Sequence, residues 1–89
     1  MSIKVTRVKL WESPTLKAFV DVSFSDQVTV KNCKVIEGSK GLFVSMPQEP
    51  GEDNKWYDLV KTNSKAVADQ VKEVVLAAYN AEASKPAHV

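Results

Sequence analysis

The chain is 89 residues long, with 12 basic and 11 acidic side chains and a formal charge of +1 at pH 7. That is one small domain whose single core is marginal without further burial, and near-neutrality excludes a strong overall field toward nucleic acid or anionic lipid. Cys33, the sole cysteine, excludes an intrachain disulfide and a cysteine-based metal site.

Residues 3–11 read as a strand whose phase slips. Ile3 and Val5 are apolar at odd positions, Val8 and Leu10 at even ones, and a β-bulge near Thr6 or Arg7 would reconcile them. Residues 16–24 alternate cleanly, with Leu16, Ala18, Val20, Val22 and Phe24 on one face, the mark of a half-buried strand pairing with the first as a hairpin. A turn at Ser25, Asp26 and Gln27 leads into a third strand over 28–36, with a second change of phase around Asn32.

Gly38-Ser39-Lys40-Gly41 separates two apolar runs. Its glycines reach positive φ at little cost and suit a tight hairpin loop. A Gly-x-x-Gly loop with an internal lysine is similar to the backbone clamp of KH domains, but that clamp joins helices and this loop joins strands. Residues 42–46 form the fourth strand, ended by Pro47, which lacks a backbone donor. Residues 47–54 read as a polar loop and 55–60 as a short fifth strand. There Trp56 and Tyr57 should point to opposite faces, with one of them in the core.

The period then changes from two to 3.6. Val67, Val71, Val74, Val75, Ala78 and Tyr79 make one stripe of an amphipathic helix, with Ser64 as N-cap and Asn63 as rival. The helix should fade near Glu82, giving a single domain over 1–82 and a disordered tail over 83–89. The expected class is α+β: an antiparallel meander of four to five strands followed by one C-terminal helix packed on one sheet face.

One helix cannot cover both faces of such a sheet. The open face carries Trp11 and Phe19 beside Arg7, Lys9, Lys17 and Asp21, so these aromatics are the expected interface of a homodimer. Catalysis is not expected. His88, the single histidine, falls in the tail, and Cys33 sits in a strand as a small core residue. No nucleophile, base and orienting group assemble, and no cofactor or metal is called for. Charged residues near the start and a longest apolar run of only residues 74–79 point to a cytoplasmic protein with no membrane insertion.

Charge is distributed unevenly. Residues 1–40 hold seven basic and four acidic side chains, whereas residues 48–58 hold four acids and Lys55 alone. The candidate phosphate contacts are Lys40 at the loop tip, Lys61 before the helix, and Lys65 and Lys72 along it. Asp69 and Glu73 lie at pairing distance on the same helix, which equally suits a solvated mixed-charge face.

The string Val35-Ile36-Glu37-Gly38-x-x-Gly41-Leu42-Phe43-Val44-x-Met46-Pro47 resembles the signature of the SpoVG family, the bacterial stage V sporulation protein G or septation regulator. Val5-Thr6-x-Val8-Lys9-Leu10, Leu16-Lys17-Ala18, Asn32-Cys33-Lys34, Trp56-x-Asp58-Leu59 and Val75-Leu76-x-x-Tyr79 extend the resemblance over about residues 3–80. It implies a small dimeric regulator of the bacterial cytoplasm that binds DNA or RNA site-selectively and acts in septum formation or sporulation. The chain departs from the pattern at Gln48 and Glu49, where basic residues often follow Met-Pro. It departs again at Lys61-Thr62, in place of His-Pro, and at Ala68 and Gln70, where Arg and Lys stand early in the helix. Both basic patches are thinned, which weakens nucleic-acid contact. A protein-interaction module of the division machinery is the alternative reading.

Overall fold

The computed structural model describes residues 2–85. Four strands, β1 (Ile3–Leu10), β2 (Leu16–Phe24), β3 (Val28–Gly38) and β4 (Gly41–Ser45), form an antiparallel sheet in sequential order. β5 (Gln48–Pro50) and β6 (Trp56–Asp58) pair as a separate two-stranded sheet, and α1 (Lys65–Ala83) follows. The helix lies across one face of the larger sheet, chiefly against β1 and next against β4.

The core follows from the alternation of β2. Ala18, Val20 and Val22 are buried beneath the helix with Cys33 and Val35 of β3, Ile3 of β1, and Val71 and Val75 of α1. Each fully buried valine contributes roughly 1.5–3 kcal/mol relative to an exposed one. Val67, Val74, Leu76 and Tyr79 flank the buried pair on the helix and complete the apolar stripe.

Both phase slips are bulges, and both lie beside Asp21. In β1, Val5 pairs with Val22 and Arg7 with Asp21, so Thr6 is the extra residue that brings Val8 back to the core face. In β3 the register shifts between the Val20–Cys33 and Val22–Val30 pairs, and Asn32 takes a left-handed φ of 64°. A one-residue slip without such bulges would turn each apolar set to solvent. The β2–β3 turn has Ser25 and Asp26 at φ 54° and 56°.

The β3–β4 loop differs from expectation in one respect. Only Gly41 is left-handed, at φ 112°. Gly38 ends β3 paired with Gly41, and its missing side chain makes room for a ring: a Cβ there would lie 3.0 Å from Cε1 of Phe43.

The segment after Pro47 is more ordered than a polar loop. Gln48 pairs with Asp58, Glu49 with Tyr57 and Pro50 with Trp56, and the Gln48 side-chain amide donates to Asp58 at 2.5 Å. The fifth expected strand is therefore shorter and outside the main sheet. Neither Trp56 nor Tyr57 enters the core, at 63% and 50% exposed, because this hairpin leans on no other strand or helix.

Ser64 is the N-cap, its hydroxyl accepting the Val67 N–H at 3.2 Å. The helix reaches Ala83, one residue past the expected domain boundary, with Ser84 as C-cap. The rest of the expected tail, residues 86–89 with His88, lies outside the described residues.

Candidate nucleic-acid interface

The four lysines singled out from the sequence do not form one surface. Lys40 and Lys72 line a common recess of about 360 Å³ with Phe43, so the β3–β4 loop tip and mid-helix come together. Lys61 lies elsewhere, on a largely apolar recess of about 290 Å³ with Phe24, Val28, Val60 and Val67. Lys65 is engaged: its ammonium donates to Asp69 at 2.7 Å, and this hydrogen bond holds its pKa above the usual value. At 88% and 61% exposed, the pair adds little stability, but it reduces the net charge that Lys65 offers to a phosphate.

The open face of the sheet is richer in free cations. Lys9 pairs with Phe19, Phe19 with Lys34, and Lys34 with Ser45, and directly opposed residues share a face. The result is a row across all four strands: cation, aromatic, cation, hydroxyl. Trp11 meets Phe19 edge to face at a centroid distance of 5.7 Å, and the Lys9 ammonium stands 5.6 Å from the Trp11 ring centroid. Arg7, Lys9, Phe19, Asp21 and Asn32 enclose a recess of about 230 Å³ in this face.

Ion pairing separates these cations from others. Lys4 pairs with Asp26, Lys17 with Glu37 and Lys85 with Glu82. Among the described residues Arg7, Lys9, Lys31, Lys34, Lys40, Lys55, Lys61 and Lys72 have no carboxylate within 4.0 Å. Four acids instead sit on the β5–β6 hairpin and its turn, at Glu49, Glu52, Asp53 and Asp58. There Asp53 accepts from the Tyr57 hydroxyl at 2.6 Å, which lowers the carboxyl pKa and raises that of the phenol.

Cys33 faces the core, its thiol 3.7 Å from Sδ of Met46. Burial first, and Asp21 second, push its pKa up to about 11, so at neutral pH it is a protonated packing group. No cluster of His, Cys, Asp and Glu able to hold a metal ion occurs among the described residues. None of their helices is long and apolar enough to cross a membrane.

The sequence pattern by itself does not single out Lys34. The clean alternation of β2 marks Phe19 as open-faced, but placing Lys34 beside it requires the register of β3 through a bulge.

These features define a small α+β domain with a basic, aromatic sheet face opposite its helix and an acidic hairpin at its margin. The SpoVG family profile matches residues 1–81, and the chain belongs to that family. It is 37% identical over 79 residues to the "Putative septation protein SpoVG" of Archaeoglobus fulgidus, covering 85% of this chain and 93% of that one. The protein of the same name from Finegoldia magna is 32% identical over the whole of this chain and 83% of its own length. That from Symbiobacterium thermophilum is 39% identical over 82 residues, and there the match spans 59% of the relative's length.

Proposed function

We propose that this protein is a septation regulator of the SpoVG type that acts as a homodimer binding nucleic acid. The family supports the septation role. The observation that carries nucleic-acid binding is the segregation of charge: among the described residues seven cations on the sheet, loop and helix are unpaired, Arg7, Lys9, Lys31, Lys34, Lys40, Lys61 and Lys72, while four of the seven unpaired acids lie on the hairpin with Lys55. A net charge of only +1 hides this separation. Phosphate binding depends on local cations rather than on the sum.

Self-association is supported by apolar side chains left in solvent. Trp11 is 48% exposed beside Phe19, and Trp56, Tyr57 and Leu59 are exposed as well. Light scattering should give about twice the 9.8 kDa chain mass.

Binding to random DNA and RNA across a salt series tests the reading. Counterion release predicts log affinity falling linearly with log salt, by about 0.9 per neutralised phosphate on duplex DNA and about 0.7 on single strands. A slope of two or more supports the reading; no binding at low salt overturns it. In that event the acidic hairpin with its exposed Trp56 and Tyr57 favours the protein-interaction module of the division machinery, detectable as retention of division proteins that Trp56→Ala abolishes.

A further inference from the structure

We infer that two copies of this chain are held together by an exchange of hairpins: the acidic β5–β6 hairpin of each lies across the basic, aromatic sheet face of the other. This rests on the homodimer reading above and names the two surfaces that meet.

The hairpin lacks a surface to rest on. Its strands are three residues each, and it leans on no other strand or helix. A two-stranded ribbon of that length is marginal in water without packing, yet this one exposes Trp56 and Tyr57. Directly opposed residues and next-but-one neighbours share a face. Glu49 therefore stands beside Tyr57 on one side of the ribbon, and Asp58 beside Trp56 on the other. Glu52 and Asp53 add two acids at its turn.

The open sheet face has the complementary pattern. Lys9, Phe19 and Lys34 stand in a row on β1, β2 and β3, and Trp11 packs edge to face on Phe19. Arg7, Lys9 and Lys34 have no carboxylate partner among the described residues. Asp21 lies on the same face but is buried, its Oδ1 accepting the Asn32 N–H. A ribbon of rings and acids laid on a sheet of rings and cations buries apolar surface and gives each charge an opposite neighbour. The row ends at Ser45, the last residue of β4 and close to the root of the hairpin. A two-fold axis near that root carries each hairpin over the other copy's row.

Charge selects this arrangement over the two simpler ones. Sheet face on sheet face sets Arg7, Lys9 and Lys34 against their own equivalents. Hairpin on hairpin does the same to Glu49, Glu52, Asp53 and Asp58. Juxtaposed like charges oppose both contacts. The exchange makes every contact complementary, and two-fold symmetry makes it twice. Lys40, Lys61 and Lys72 on the loop and helix take no part in it, which leaves them to phosphate.

The experiment reverses charge on the full chain and follows self-association by sedimentation over a dilution series. One protein carries Lys9→Glu with Lys34→Glu, the other Glu49→Lys with Glu52→Lys, all at exposed positions. Each alone should weaken self-association by about tenfold or more while keeping a cooperative thermal melt. Mixed in equal amounts, the two should form a heterodimer of near wild-type affinity, because every cross-copy contact is then complementary. A single chain carrying all four substitutions should dimerise as the wild type does. Rising salt should weaken the wild-type dimer, since the paired charges lie near solvent.

The inference is overturned if the hairpin reversal leaves self-affinity unchanged, which would assign the interface to the sheet faces alone. It is equally overturned if the sheet reversal has no effect, or if mixing the two weakened proteins restores nothing. In each of these cases the wild type still dimerises and the homodimer reading stands. Loss of that broader reading shows instead as a wild type of 9.8 kDa at every concentration.

Discussion

Asp21 and Asn32 are joined across β2 and β3 by a hydrogen bond in which the carboxylate Oδ1 accepts the Asn32 backbone N–H at 3.1 Å. Asn32 is the left-handed residue of the β3 bulge, and the Asp21 carbonyl also accepts the hydroxyl of Thr6, the bulged residue of β1, at 3.4 Å. The Asp21 carboxylate thus takes up the backbone N–H at the β3 bulge, while its backbone carbonyl takes up the side-chain hydroxyl at the β1 bulge.

Replacing Asp21 with Ala should cost about 1–3 kcal/mol, since it strands a backbone donor where water has limited access. Asp21→Asn retains an acceptor and should cost less. At Asn32, Gly should be near neutral and Val should cost roughly 1–2 kcal/mol, because a β-branched residue resists positive φ. Urea unfolding of the four variants measures each; equal losses for Ala and Asn at position 21 would show that the hydrogen bond does not carry the effect.

The helix cap and the helix core make separable contributions. Ser64→Ala removes the acceptor for the Val67 N–H and should lower stability by about 1 kcal/mol. Val75→Ala, at a fully buried position, should cost about 2–3 kcal/mol through lost transfer energy and a residual cavity. The two sites are about three turns apart on α1, so the double variant should show the sum in thermal or urea melts.

Cys33 predicts a pH effect of definite sign. Its thiol ionises at about 11 in the folded chain against an ordinary 9.0. Above pH 9.0 the unfolded chain gives up this proton first, so the unfolded state binds fewer protons and is favoured. The stability difference between wild type and Cys33→Ala should be constant below that pH and shrink as pH rises toward 11. Alkylation should likewise be slow in the native protein at neutral pH and fast in urea; rapid native alkylation would contradict the burial.

The β5–β6 turn is closed by contact between Gly51 and Tyr57. A Cβ on Gly51 would lie 2.5 Å from Cε2 of the Tyr57 ring, so Gly51→Ala should displace the ring and break its hydrogen bond to Asp53. Since that bond raises the phenol pKa, spectrophotometric titration should show one tyrosine ionising at lower pH in Gly51→Ala and in Asp53→Asn. The global melt should change little, because the hairpin shares no packing with the main core.

The main sheet was legible because burial leaves a period in the sequence. Alternation over residues 16–24 identified the core face, and the two interruptions at Thr6 and Asn32 identified the bulges, since each apolar set must return to that face. The β5–β6 hairpin left no such trace. Gln48, Glu49 and Pro50 are all exposed, so no alternation marks the strand, and the expectation that one of Trp56 and Tyr57 enters the core presumes a core side that the hairpin does not possess. Single lysines were legible as candidates, but their grouping was not. Lys40 and Lys72 come to line one recess through the return of the helix, and Lys9 and Lys34 come to flank Phe19 through the register of three strands. Neither proximity is local in sequence.

The packing of α1 chiefly against β1 has a consequence for how the chain is made. The four strands join in the order of their synthesis, through short hairpins that can form as they leave the ribosome. The helix that covers their apolar face comes last among the elements of the described residues. Until it is released, Val20, Val22 and Val35 face solvent on a nascent sheet with unpaired edges at β1 and β4, the condition under which chains aggregate. Premature termination before residue 65 should therefore yield a species that chaperones retain, and a translational pause is least harmful once the helix has emerged.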